Sequence, residues 1–277
     1  MMHRTKRKNF IVVTLASLIA ILFLLPLVWM VFTSFKTLSE SMSSAAILPK
    51  TWTLENYIDI FSSTSDAPII RWIFNTALIT AIGTILVVAI DILAAYALAR
   101  LRVPGKKVIM GMIVAALTIP GIVTLFPAFY LFKSMNLLDT FFPLILPYTA
   151  STMGVFLVYN FLLSFPRDLE EAAYIDGATQ WQILRHVIFP SIKPVATTLG
   201  IITFMAIYND YLWPSLVVNT NEMKTISLGI ATLIQGANFV NPAKMMASTV
   251  IATIPAIIVF LFANKYFVQS ITNSGIK

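Results

Sequence analysis

Six stretches of this chain run for 20 to 28 residues with at most one charged side chain each. They are 9–35, 72–99, 108–132, 140–166, 194–221 and 245–264, and Asp91 and Asp210 are the only charges inside them. A bilayer core about 30 Å thick takes about 20 apolar residues in a helix. Within lipid, a helix satisfies its own backbone hydrogen bonds where open strands and loops do not. The pattern therefore predicts an all-α membrane protein with six transmembrane helices. The spans fall near 10–35, 72–99, 108–132, 141–163, 194–218 and 245–264, in one domain covering 10–277 after a tail of residues 1–9. Composition agrees: only 11% of the 277 residues are charged and 58% are hydrophobic. A soluble domain of this length has too little polar surface to cover so much apolar area. A soluble enzyme, a disordered chain and a typical nucleic-acid binder are thereby excluded. With no Cys, a disulfide framework, a thiolate metal site and a cysteine nucleophile are excluded too.

A seventh charge-free stretch, 225–243, contains Gln235, Gly236, Asn238, Asn241 and Pro242. Its apolar part is short, and it reads as a loop with a short interfacial helix. The first apolar run is too long for the 7–15-residue core of a signal peptide. The triplet Ser44-Ala45-Ala46 is a weak cleavage-like site, so an uncleaved first span is the better reading. No lipidation motif or internal repeat is present.

Lys and Arg placement sets the orientation. With the N-terminus cytoplasmic, the inner segments hold 13 of the 19 basic residues, among them Arg4, Lys6, Arg7, Lys8, Arg100, Arg102, Lys106, Lys107, Lys265 and Lys277. The outer segments hold Lys36, Lys50, Arg71, Lys133, Lys224 and Lys244, against six acids: Glu40, Glu55, Asp59, Asp66, Asp139 and Glu222. This bias places both termini in the cytoplasm of a multi-pass cell-membrane protein. The net charge of +7 is a topology signal and no nucleic-acid footprint.

Pro26, Pro120, Pro127, Pro147, Pro214 and Pro255 fall inside the spans. Each removes a backbone donor and disturbs the preceding turn. Ordinary kinks and a bundle that bends around a pathway are both consistent with that. Thr118-Ile119-Pro120-Gly121 and the segment from Tyr208 to Pro214 are the best candidates for a broken helix. Asp91 precedes the small-residue run Ala94 to Arg100, where another helix can approach closely. It either bonds an interhelical polar group or backbone, or handles a proton or substrate. Tyr208, Asn209, Asp210 and Trp213 bring aromatic, amide and carboxylate groups together. That mixture suits a sugar, apolar on one face and hydroxylated at its edge. The segment is equally an aromatic anchor at the membrane boundary.

The most informative segment is the loop 164–193, inside between spans four and five. It reads as helix, turn and second helix. Pro166 lies near the start, where its missing N–H does no harm. Asp168, Glu170 and Glu171 lie in the first turns, where the helix dipole favours negative charge. Gly177 permits the bend. A short exposed helix carrying Ala172 and Ala173 has the low relief that fits another protein's groove.

The run Glu171-Ala172-Ala173, then Gly177 after three residues, then Val187 to Pro190 after nine more, resembles the EAA motif of ABC-importer permeases. The family form is EAA-x3-G-x9-I-x-L-P; Val187 and Phe189 replace the Ile and Leu. The stretches 173–182, 94–100 and 209–214 resemble carbohydrate-type importers. The six-span layout and Lys265 to Gln269 resemble the MalG-like permease subunit of maltose-type systems. The resemblance covers nearly the whole chain. It implies that the loop is a coupling helix docking on a cytoplasmic ATPase, with Glu171, Ala172, Ala173, Asp176 and Gly177 at the contact. It further implies a second homologous permease, two ATPase copies and an extracytoplasmic solute-binding protein delivering a sugar or oligosaccharide. The translocation path would include Tyr208, Asn209, Asp210 and Trp213.

No G-x4-G-K-[ST] occurs, so the chain has no phosphate-cradling loop of its own. ATP and magnesium would act on the partner, and this chain is read as no enzyme. His3 and His186, the two histidines, form no metal site. Three rivals stand beside this reading. One is an ABC permease for a non-sugar solute. Another is a proton-coupled secondary transporter using Asp91 and Asp210. The third, an integral-membrane enzyme, lacks convergent catalytic groups.

Overall fold

The computed structural model describes residues 2–43, 46–62, 68–235 and 241–274, with side chains left undescribed for 2–11, 234–235 and 263–274. Ser44, Ala45, Asp66, Gly236, Asn238 and Lys277 thus lie outside the described residues. So do the side chains of His3, Arg4, Lys6, Arg7, Lys8, Gln235 and Lys265 to Gln269.

The described residues are helix and loop throughout. The first helices are α1 (Met2–Ser34), α2 (Leu38–Ser43), α3 (Glu55–Phe61), α4 (Ile69–Arg100), α5 (Lys106–Leu117) and α6 (Gly121–Ser134). Then come α7 (Phe141–Ile145), α8 (Thr152–Ser164), α9 (Asp168–Ile175), α10 (Gln180–Ile183) and α11 (Phe189–Ser191), the last two joined by a π-helical stretch, Leu184–Ile188. The chain continues through α12 (Lys193–Asn209), α13 (Leu212–Val217), α14 (Ile226–Gln235) and α15 (Pro242–Ser274). Four segments are long and apolar enough to cross a membrane, within α1, α4, α7–α8 and α15; two bent pairs raise the number to six. The molecule is thus an all-α, multi-spanning membrane protein.

The chain forms two compact units, residues 1–70 with 229–254, and residues 71–228 with 255–277. In the first, the part of α1 from Val12 to Ser34 is strongly apolar, and none of its most apolar window is buried. Lipid is the solvent that such a surface suits. Just beyond its end the chain is fastened by polar bonds. Asn56 Nδ2 donates to the carbonyls of Ser34 at 2.9 Å and Lys36 at 2.8 Å. Ser34 Oγ and Tyr57 OH share a hydrogen bond of 2.7 Å, and the buried Lys36 ammonium donates to the Ala46 carbonyl. Lys244 at the start of α15 pairs with Asp59 of α3 at 3.0 Å.

In the second unit α4 is one unbroken helix of 32 residues. The small residues of its final turns do what small residues do in membrane helices: Ala95 and Ala99 are buried, in one core cluster with Val155, Val158 and Leu162 of α8 and Leu199 of α12. The other apolar stretches are interrupted. Residues 108–132 form α5 and α6, bent by 99°, with Pro120 as N-cap of α6. Thr118 Oγ1 donates to the Ala115 carbonyl at 2.7 Å and so occupies an acceptor at the break. Between α7 and α8 the chain passes through a 3-10 turn containing Pro147. A bend of 75° separates the helical run 180–191 from α12, which has Pro194 in its first turn. The expected second break is also present, α12 ending at Asn209 and α13 starting at Leu212. The apolar stretch 225–243 holds α14, ten residues long, which at about 1.5 Å per residue is too short to cross a bilayer.

Asp91 is fully buried. Its Oδ1 accepts from the Ser151 N–H at 3.0 Å, at the start of α8. Among its described surroundings Asp91 therefore acts as a backbone cap between helices. Gly154 lies against it: a Cβ there would overlap Asp91 Oδ2 and crowd Leu199.

Candidate functional site

The loop 164–193 is built as its residues dictate. Arg167 stands at the N-cap of α9, and Asp168, Glu170 and Glu171 fill the first turn. At the other end Gly177 has φ of +84°, the left-handed region that glycine enters without steric cost. The amides of Asp176, Gly177 and Ala178 return to the carbonyls of Ala172, Tyr174 and Ala173, closing the helix. The second helix begins with a capping box between Thr179 and Gln182, which satisfies two free amides of the first turn. His186 is exposed, and its Nδ1 lies 3.1 Å from the Gln182 carbonyl.

Helix α9 buries none of its residues. Glu171 and Ala172 are exposed, as are Asp176 and Gly177. Tyr174 and Ile175 are 67% and 83% exposed, unusual for such large side chains on a helix whose charged start is suited to water. The alanine pair divides: Ala173 is half-buried and packs on the core that holds α4 and α8, leaving Ala172 on the outer face. Successive side chains of a helix are turned by about 100°, so two adjacent alanines differ in exposure.

The loop hangs from the last turns of α4. Arg100 Nε lies 2.6 Å from Glu170 Oε1, with side-chain exposures of 5% and 13%. Arg100 Nη2 also donates to the Phe165 carbonyl at 2.9 Å, and Arg167 Nη2 donates to the Ala99 carbonyl at 3.4 Å. Tyr96 OH donates to Gln180 Oε1 at 2.9 Å. Burial pushes the Glu170 carboxyl above its usual range, outweighing the pull of Arg100 and Arg167, and Glu171 adds to the rise. Removing one partner of so buried a pair leaves an uncompensated charge, at a cost of about 3–5 kcal/mol. Arg100, Arg167, Glu170, Glu171, Tyr174 and Gln180 line a cavity of about 270 Å³ beside α9. The α4 anchors Tyr96 and Arg100 lie in the sequence run Ala94 to Arg100, where the visible signal is an aromatic and a cation among small apolar residues.

The second candidate segment is the break between α12 and α13. Asp210 accepts from Tyr148 OH, and its Oδ1 accepts from the Trp213 N–H at 3.3 Å, capping α13. Trp213 is buried against Phe132, and its Nε1 donates to the Pro143 carbonyl at 2.7 Å. Tyr208 is buried and stacks on Phe204. Asn209 is exposed, with Nδ2 bonded to the Met205 carbonyl at 2.9 Å. The four residues are neighbours in the chain, but Tyr208 and Trp213 are directed into packing while Asn209 and, in part, Asp210 reach the surface.

Sequence reasoning missed a further polar cluster. Trp72 Nε1 donates to the Asn221 carbonyl at 2.7 Å. Asn75 Nδ2 donates to the carbonyls of Glu222 and Lys224 at 2.7 and 3.0 Å. Thr76 Oγ1 accepts from the Ile226 N–H at 2.8 Å. Asp139 Oδ1 takes the amides of Asn219 and Thr220 at 3.0 and 3.1 Å and the Thr220 hydroxyl at 3.1 Å. Together they hold the loop 218–226, whose partners on α4 lie about 150 positions away in sequence and whose partner Asp139 lies about 80 away, so neither left a local signal.

Among the described residues no group of acids and histidines forms a metal site. Residues 88–273 match the binding-protein-dependent transport system inner membrane component family. The chain belongs to that family. It is a transport permease subunit, and a non-catalytic one. A permease of the family, sulfoquinovosyl glycerol transport system permease protein SmoH of Agrobacterium fabrum, is 35% identical over 271 residues, covering 95% of this chain and 92% of the relative. Trehalose transport system permease protein SugB of Mycobacterium tuberculosis is 32% identical, with 92% of each chain covered. Arabinooligosaccharides transport system permease protein AraQ of Bacillus subtilis is 29% identical over 94% of this chain and 92% of the relative. The same fold occurs in the crystal structure of a bacterial ABC transporter involved in alginate import, with a TM-score of 0.82, 22% identity, and 94% and 96% of the two chains covered.

Proposed function

We propose that this permease is the MalG-like subunit of an ATP-driven sugar or oligosaccharide importer. It pairs with a second homologous permease, two copies of a cytoplasmic ATPase and an extracytoplasmic solute-binding protein. The observation that carries the reading is α9: an exposed helix presenting Glu171, Ala172 and Ile175 while its base is fixed to α4 through Arg100. A helix with large apolar side chains in water and a rigid foundation is suited to reception in a groove. Glu171, Ala172, Ala173, Asp176 and Gly177 form the docking face, with Ala173 at its inner edge, where it also packs on the bundle. The basic bias of the inner segments supports a cytoplasmic position for this loop and both termini.

The mechanism is alternating access. Closure of the ATPase dimer carries the loop with it, and the bundle opens outward; hydrolysis resets it. The interruptions at 118–120, 146–151 and 210–211 are places where helices can tilt without breaking long hydrogen-bonded runs. Asn209 and Asp210 are the path-facing groups of the segment, with Tyr208 and Trp213 shaping it from behind.

The sugar class is supported by the names of the relatives. SmoH, AraQ, SugB and lactose transport system permease protein LacG of Rhizobium radiobacter are described by sugar-containing substrates. A permease for another solute is the second reading; a proton-coupled transporter loses ground because Asp91 and Asp210 are both engaged as helix caps. The test is sugar uptake into vesicles holding the complete complex, with ATP inside and loaded binding protein outside. Uptake that requires both components is expected. Uptake without ATP would overturn the importer reading, and ATP-dependent uptake of only a non-sugar solute would overturn the sugar class.

A further inference from the structure

We infer that Arg100 is the joint that delivers movement of the loop 164–193 to the membrane bundle, a positioning residue acting through Glu170, the Phe165 carbonyl and, one turn back along α4, Tyr96. The inference rests on the reading that this loop docks on the ATPase.

Three observations converge on it. The polar ties between the loop and α4 are concentrated at one place. Arg100 holds both Glu170 in the first turn of α9 and the Phe165 carbonyl just before it. Tyr96 holds Gln180 at the start of the second loop helix. Both arms of the loop are thus gripped from a single turn of α4, so a push on α9 moves them together.

The grip is also dry. Both members of the ion pair are nearly buried, and one planar, forked guanidinium ties two points of the loop, pairing with the carboxylate through Nε and donating to the Phe165 carbonyl through Nη2. A lysine has a single charged nitrogen and cannot reproduce that fork.

Finally, α4 is the one long helix of this unit without a proline or a break, running 32 residues to Arg100. At about 1.5 Å per residue, Asp91 lies about 14 Å along it from Arg100. There Asp91 caps the start of α8. A displacement entering at Arg100 is therefore carried by a stiff element to a second helix inside the membrane.

The experiment uses the complete transporter and reads two quantities: retention of the ATPase subunit on purification, and sugar transported per ATP hydrolysed. Arg100→Glu and Glu170→Arg are each expected to keep the ATPase attached and to lower transport per ATP at least tenfold. The double swap, which restores opposite charges, is expected to recover at least half. Arg100→Lys, which keeps the charge and the fold, is expected to lose several-fold. Wild-type transport per ATP in Arg100→Lys and in either swap would overturn the joint, as would a double swap no better than the singles. Loss of the joint with the ATPase still retained separates this outcome from failure of the docking reading, which shows instead as a Glu171→Lys complex that keeps its ATPase and full coupling. If the charge swaps do not assemble, Tyr96→Phe decides the matter: it removes only the bond to Gln180, and unchanged transport per ATP in it and in Arg100→Lys would refute the inference.

Discussion

Asp91 on α4 accepts a hydrogen bond from the Ser151 N–H at 3.0 Å, so a carboxylate from one membrane helix caps the start of another. The cap stands where a proline-containing turn leaves the first amides of α8 without intrahelical partners. Lipid offers those amides nothing in exchange. The same contact explains Gly154, whose missing side chain leaves room for the carboxylate.

Gly154→Ala is therefore expected to lower the thermal stability of the purified complex, by about 1–3 kcal/mol for an overpacked site. Asp91→Asn, which keeps the acceptor, is expected to be milder than Asp91→Ala. Thermal unfolding in detergent checks both; an Asn variant as unstable as the Ala variant would mean that the cap is not what Asp91 contributes.

Asp210 is held by Tyr148 and by the Trp213 amide but is only partly covered. Asp210→Ala is expected to change sugar uptake or basal ATPase activity more than Asp91→Ala does, while Asp91→Ala costs more stability. Tyr148→Phe should move activity in the same direction as Asp210→Ala with a smaller effect. Paired uptake and melting measurements on the three variants check the ordering, and equal effects on activity would return Asp210 to a purely structural role.

The contrast between these two acids shows what sequence could and could not reveal. Charge gaps located the apolar helices, and Pro120 and the 208–214 segment marked two breaks, because lipid burial and proline act locally. The loop helix was legible for the same reason: Asp168, Glu170, Glu171 and Gly177 are local signals for a start and a bend. What holds that loop was not. Arg100 and Glu170 are 70 positions apart, and an arginine after a run of alanines looks the same whether it faces water or a carboxylate. The Asp139 clamp and the Trp72–Asn75–Thr76 cluster were equally silent, since each bonds backbone amides and carbonyls that every residue possesses. The direction of each alanine in Ala172-Ala173 also depends on what packs beneath the helix.

Asp139 gives a prediction in pH. Partial burial works to raise its pKa, but the bonds from the Thr220 and Asn219 amides and the Thr220 hydroxyl outweigh it and hold the carboxyl below its ordinary value. A pKa lowered by folding contributes stability that is complete above the unfolded value of about 3.9 and disappears as pH falls through the lower folded value. The stability difference between wild type and Asp139→Ala is thus expected to be constant between about pH 5 and 8 and to shrink only below about pH 4. A difference that changes across neutral pH would contradict this.

Gly177 adopts φ of +84° and its amide bonds the Tyr174 carbonyl. Gly177→Pro removes that donor and cannot take a positive φ. The expected result is a bundle that melts as wild type does, with ATPase stimulation and uptake reduced at least tenfold. Wild-type coupling in this variant would show that the bend of the loop does not matter.

The central claim is that α9 is the surface received by the ATPase, and the absence of native cysteines makes a direct measurement simple. Ala172→Cys places one thiol on the exposed face of α9, and Ala173→Cys places one on the packed face. With a short thiol–thiol cross-linker and an ATPase carrying single cysteines across its permease-facing surface, Ala172→Cys is expected to cross-link in high yield. The yield should change when ATP is added, and Ala173→Cys should react at least several-fold less. No cross-link from Ala172→Cys in an assembled, ATP-hydrolysing complex would contradict the account.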